Sequence, residues 1–158
     1  MNHLITPLLT FLLALASANF ATAQDEQHNH DQHAAAHSGE LDLARPESGK
    51  WASDKSLRQG MSELKAAFEP HHAAYQSGDF DARQAAELAD TIQEKVNFMI
   101  AHCNLPTAAD AELHKLLAAA LGAAQTLRES DDQHEGLHQL HRVLLTYPEF
   151  FDHPDWTR

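Results

Sequence analysis

The only cysteine of this 158-residue chain, Cys103, stands just before a proline-marked turn, and His114 follows that turn. Met61, His141 and His153 supply a thioether and two further imidazoles. One Cys and two His hold the metal in cupredoxin-type copper centres, where a Met binds weakly at the axis. The residue types therefore predict a mononuclear copper site of Cys103, His114, Met61 and a second histidine, either His141 or His153, provided that the fold brings these side chains together.

The first 23 residues indicate export. They contain the apolar run "LLTFLLALASA" and end in "ATA", the small-residue pattern that signal peptidase accepts, so we expect cleavage after Ala23. The apolar run is shorter than the ~20 residues of a membrane span, and we expect a periplasmic or secreted protein without stable membrane insertion. A lone thiol in an oxidising compartment is protected from disulfide exchange when it binds a metal, which favours Cys103 as a ligand.

The charge balance points to cations as partners. The chain has 11 Lys and Arg against 23 Asp and Glu, for a formal net charge of −12. Nucleic-acid binding needs a basic face, so this composition argues against it. A copper ion is the expected partner, together with a redox or copper-trafficking protein that would exchange electrons or metal with it.

Residues 24–50 are polar, lack apolar periodicity and contain His28, His30, His33 and His37. This composition predicts a disordered, histidine-rich tail. Two interpretations stay open at this point. Either the four imidazoles capture a metal ion loosely, or the segment is a solvated linker whose histidines have no role.

From Trp51 onward the apolar residues recur with helical spacing in four segments. Ser53 or Asp54 is expected to cap the first helix, Thr107 with Asp110 to cap the third, and the fourth to run from Asp132 to about Tyr147. Short connections between four helices predict an all-α, antiparallel up-down-up-down bundle over residues 51–158, with an aromatic C-terminal tail.

Antiparallel order brings the start of the first helix, the end of the second, the start of the third and the end of the fourth to the same end of a bundle. The five candidate ligands are all expected near that end: Met61, Cys103, His114, His141 and His153. At the opposite end, His71 and His72 would meet His134, where a second, peripheral metal site is an open alternative to ordinary surface histidines.

Three stretches carry a resemblance to known proteins: "KWASDKSLRQGM", "CNLPTAADAELH" and "FDHPDW". Together they resemble a family of small exported bacterial four-helix-bundle proteins with a cupredoxin-like Cys/His/Met copper site. The resemblance covers residues 51–156 and implies that Met61, Cys103, His114 and, as a further candidate, His153 are motif positions. It does not determine which metal they hold.

The architecture is also similar to cytochrome b-type four-helix bundles, in which a Met on the first helix and a His on the fourth bind haem. A haem-binding bundle is therefore one alternative, and a structural or partner-binding bundle with a metal-scavenging tail is another. A c-type cytochrome is excluded because no CxxCH motif is present.

Enzyme chemistry has little support in the sequence. "HEGLH" at 134–138 matches the zinc-protease HExxH pattern, but the chain is short and shows no strand pattern that would build a substrate cleft. A di-iron Glu-x-x-His site would need a second copy of that motif. There is no phosphate-binding glycine loop and no serine nucleophile elbow, so we expect a binding protein rather than an enzyme.

Overall fold

A computed structural model describes residues 41–157 of the chain. Four α-helices account for most of them: α1 (Lys55–Ser77), α2 (Ala82–His102), α3 (Thr107–Glu129) and α4 (Gln133–Phe150). Consecutive helices pack against each other, and the predicted four-helix bundle is confirmed. The predicted signal peptide and residues 24–40 of the predicted tail lie outside the described residues.

Three of the four helices begin at an aspartate that acts as N-cap. The Asp54 carboxylate accepts a hydrogen bond from the N–H of Leu57 at 2.7 Å. Asp81 forms a capping box with Gln84, and Asp132 accepts from the N–H of His134. Such caps satisfy N–H groups that have no partner within the helix.

Two predicted helix boundaries need correction. Thr107 is the first residue of α3, which follows Pro106 at the cap position, and no side chain caps that helix. The φ of Pro106, −55°, already suits entry into a helix, so Thr107 is not needed as a cap. The last helix, α4, continues past Tyr147 and ends at Phe150.

The core is built from the apolar stripes of all four helices. Met61, Met99 and Tyr147 are among its completely buried side chains. Leucine and alanine supply most of the rest, and α3 contributes the alanines that let its neighbours approach closely. None of the helices described is long and apolar enough to cross a membrane.

Residues 41–45 pack on the bundle, which corrects the prediction that they belong to a disordered tail. Leu43 is only 9% exposed, and the N–H of Ala44 donates to the Glu112 carboxylate at 2.8 Å. The ammonium of Lys115 donates to the Asp42 carbonyl at 3.1 Å. A single leucine among polar residues gives no periodic signal, so this docking could not be inferred from the pattern.

One end of the bundle is tied together by contacts between distant parts of the chain. The second oxygen of Asp54 accepts from the N–H of Asn104, after α2, at 2.6 Å. The N–H of Asp152, after α4, donates to the Trp51 carbonyl at 2.8 Å. The start of α1 therefore meets the ends of α2 and α4, as the antiparallel order requires.

Candidate metal centre

Cys103 lies where α2 ends, and its N–H donates to the Met99 carbonyl at 2.9 Å. Its thiol is half-buried. Burial, together with the nearby carboxylates of Asp54 and Asp110, raises the pKa of Cys103 to about 12. A thiol in these surroundings stays protonated at neutral pH and is a poor nucleophile, whereas a bound cation would stabilise its thiolate.

His114 lies on the exposed side of α3, near the Asp110 carboxylate. Its Nδ1 donates to the Asp110 carbonyl at 2.9 Å and lies 3.4 Å from the Asp110 carboxylate. This arrangement leaves the lone pair of Nε2 available. Metal-binding histidines commonly donate their other ring N–H to a carbonyl or carboxylate in this way, which fixes the tautomer and the ring direction.

Asp110 is thus a neighbour of both Cys103 and His114. We refer to Cys103, Asp54, Asp110 and His114 as the thiol end. Asp54 and Asp110 were considered only as helix-cap residues at the sequence level. Their effect on the thiol depends on how α1 and α3 sit beside the end of α2, and no local pattern reports that.

Met61 is completely buried on the apolar stripe of α1. It belongs to the same hydrophobic cluster against which Cys103 packs. Core packing alone accounts for this position, since methionine fills irregular space well. Its role as the weak copper ligand stays a prediction.

His153 holds the segment after α4 against the bundle. Its Nδ1 lies 3.0 Å from the Tyr147 hydroxyl and its Nε2 lies 3.4 Å from the Ser62 hydroxyl. The ring also packs against Trp156, with centroids 5.2 Å apart. Burial, and next the positive charge of Arg58, lower the pKa of His153. Both ring nitrogens have protein partners, so a metal would have to displace at least one of them.

His141 lies in a different environment, between α1 and α4. Its ring stacks on Phe68 and is 5.2 Å from the ring of His72, centroid to centroid. Burial, followed by the neighbouring His72 and His138, lowers the pKa of His141. His141 and His72 line a pocket of about 360 Å³ on this side of the bundle.

The structure therefore distributes the five predicted ligands over several environments. Within residues 41–157, no group of three or more His, Cys, Asp or Glu side chains is arranged to hold a metal ion. The copper site of Cys103, His114, Met61 and either His141 or His153 stays a prediction. Two of the candidate ligands, Cys103 and His114, are linked through Asp110, whose charge acts on the thiol and whose carboxylate lies 3.4 Å from His114 Nδ1.

The histidines of "HEGLH" flank a tyrosine of α1. The Tyr75 ring lies 4.6 Å from the ring of His134 and 5.7 Å from that of His138, between centroids. Glu135 accepts a hydrogen bond from Gln139. The sequence predicts that His72 lies opposite His134. In the structure His72 instead faces His141, which lies about two turns further along α4.

The haem alternative requires Met61 and His141 to face one cavity. His141 lines the pocket between α1 and α4, while Met61 is absent from its lining and lies in the core. A haem between these two side chains would need the core to rearrange around Met61. Haem binding stays a prediction without support from this geometry.

The fold and these side chains define an all-α four-helix bundle with histidines on the outer faces of its helices. No protein-family model, curated protein or solved structure matches this chain. The function must therefore be argued from the residues themselves.

Proposed function

We propose that this protein binds a copper ion at the thiol end and takes part in copper handling, with Cys103 and His114 as the principal ligands. The observation that carries the proposal concerns Asp110. The charge of its carboxylate contributes to the raised pKa of Cys103, and its carbonyl accepts a hydrogen bond from the His114 imidazole. A soft thiolate and an imidazole are suitable ligands for Cu(I).

The carboxylates support a cation rather than a catalytic thiol. Asp54 and Asp110 disfavour the negative charge of a thiolate at Cys103 while no cation is present. A metal ion would neutralise that repulsion and replace the thiol proton. Metal binding at the thiol end should therefore release a proton and become tighter as pH rises.

Copper handling is favoured over electron transfer. A fast electron-transfer site keeps its ligands in one geometry within a small apolar enclosure, which limits reorganisation. His114 is instead exposed, with 55% of its side chain accessible. Ligands at an open surface suit a metal that is received from one partner and passed to another.

Copper titration of the full chain tests this proposal. All proteins carry Asn in place of His28, His30, His33 and His37, so that loose binding there does not mask the result. Cu(I) affinity is measured by competition with a chromogenic Cu(I) chelator. Cys103→Ser should weaken Cu(I) binding by roughly 100-fold or more, because serine offers a hard, poorly ionised oxygen.

His114→Asn should weaken Cu(I) binding by about 10-fold, since one of two principal ligands is lost. His71→Asn is the matched control, because His71 makes the same Nδ1 contact to a carbonyl of its own helix at 2.7 Å but lies far along α1. Unchanged Cu(I) affinity in folded Cys103→Ser would refute the proposal.

A further inference from the structure

The rings of Phe68, His72 and His141 form a nearly equilateral triangle across the groove between α1 and α4. Phe68 lies 5.1 Å from His72 and 5.2 Å from His141, and the two imidazoles are 5.2 Å apart, all measured between centroids. His72 and His141 come from different helices. We call these two residues the histidine pair.

The spacing of the histidine pair suits a shared metal ion. With metal–nitrogen bonds of ~2.0–2.1 Å, two imidazoles on a tetrahedral ion have ring centroids roughly 5 Å apart. We propose that His72 and His141 together bind one Zn²⁺ ion, or a similar divalent transition-metal ion that prefers tetrahedral coordination. The bound ion would link α1 to α4. This site is separate from the copper site proposed at the thiol end.

The hydrogen bonding of the two rings leaves nitrogens available. His71, His102 and His114 each place Nδ1 within 2.7–2.9 Å of the carbonyl four residues earlier in their own helix. His72 and His141 make no such contact. Among the described residues, the only hydrogen-bond partner of His72 is the amide nitrogen of Gln76, at 3.5 Å from Nε2, and His141 has no such partner.

The electrostatics of the groove also suit a cation. The pocket beside the histidine pair is lined by Glu69, Glu149 and Lys65, which leaves a net negative charge around it. Because both histidines line the pocket, water there could occupy the remaining coordination positions of a bound ion.

A metal in this position links two helices that make less contact than the consecutive pairs do. An ion that binds the folded state and not the unfolded chain raises stability by linkage. Zn²⁺ should therefore raise the thermal midpoint of unfolding. The rise should become smaller as pH falls, because a metal ligand must be deprotonated.

The test uses the full chain with Asn at the four tail histidines and Ser at residue 103, so that its result is independent of the copper proposal. Zn²⁺ affinity is measured by calorimetry, and thermal midpoints are recorded with and without Zn²⁺. His72→Asn and His141→Asn should each lower the Zn²⁺ affinity by roughly tenfold or more, because each leaves a single ligand. His71→Asn should retain the parent affinity.

Imidazole NMR signals give a second measurement on the parent protein. Those of His72 and His141 should shift together in proportion to bound Zn²⁺. The proposal is wrong if folded His72→Asn binds Zn²⁺ as the parent does, or if His71→Asn weakens binding equally. It is also wrong if binding is lost in His138→Asn and kept in His72→Asn, because the metal would then sit on the surface of α4. Should His141→Asn fail to fold, His72→Asn and the NMR signals decide.

Discussion

The Cys103 thiol illustrates how neighbouring charges restrict what a residue can do. Catalytic cysteines have low pKa values because positive groups stabilise the thiolate. Cys103 has the opposite environment, with burial and two carboxylates raising its pKa. The same carboxylates would favour a cation, so its surroundings support metal binding and oppose nucleophilic catalysis.

Glu112 is the one buried carboxylate among the described residues. It accepts hydrogen bonds from the Ala44 N–H at 2.8 Å and from the Lys115 ammonium at 3.0 Å. The bond from Ala44, and then that from Lys115, lower the pKa of Glu112. The Glu112 carboxylate therefore stabilises the folded state at any pH above the pKa that Glu112 has in the unfolded chain. This stabilisation is lost as the pH falls through the lower pKa that Glu112 has in the folded protein.

Glu112→Gln should destabilise the protein by about 1–3 kcal/mol at pH 7, because charge-assisted hydrogen bonds are lost. The deficit relative to the parent should shrink in acid, where Glu112 itself becomes protonated. Urea unfolding at a series of pH values measures both effects. Glu87→Gln is the control, since Glu87 is 56% exposed in a surface pair with Arg83 and should change stability little. A deficit that does not vary with pH would contradict the assigned role of the Glu112 charge.

At the scale of elements, two helix glycines differ in how much space surrounds them. A Cβ at Gly136 of α4 would lie 2.7 Å from Leu127 Cγ and 2.8 Å from the Leu127 backbone nitrogen. Gly136 thus allows the backbones of α3 and α4 to come together. In the sequence this glycine only weakens the predicted helix. A Cβ at Gly122 of α3, by contrast, has no atom within 4 Å.

Gly136→Ala should destabilise the bundle by about 1–3 kcal/mol, because the backbone of α3 cannot move aside as a side chain can. Gly122→Ala should instead stabilise it by up to about 1 kcal/mol, because alanine is the better helix former and has room there. Thermal or urea unfolding of the two variants measures these opposite signs. Equal effects would show that helix propensity, and not the approach of α3 to α4, governs position 136.

At the scale of the whole molecule, residues 41–45 pack as part of the bundle. Leu43 joins the core, and Ala44 satisfies part of the buried Glu112. The guanidinium of Arg45 lies over the Phe150 ring, 4.3 Å from its centroid. These contacts connect the segment before α1 to both α3 and the end of α4.

A chain that begins at residue 51 should be less stable than one that begins at residue 41 by about 2–4 kcal/mol. The estimate combines the burial of Leu43 with one lost hydrogen bond to Glu112. Urea unfolding of the two chains measures the difference. Leu43→Ala in the longer chain should reproduce part of it. If the two chains are equally stable, the packing of this segment contributes nothing to folding.

The sequence by itself determined the number of helices, their approximate bounds and the end at which α1, α2 and α4 meet. These features depend on apolar periodicity, aspartate caps and short turns, which act over a few residues. Only the tertiary structure decided which side chains are neighbours. It placed Leu43 in the core, His141 beside His72 and Asp110 beside His114, within reach of the Cys103 thiol by its charge. The rotation and offset of each helix come from packing against the others, and a difference of one turn changes which histidine faces which.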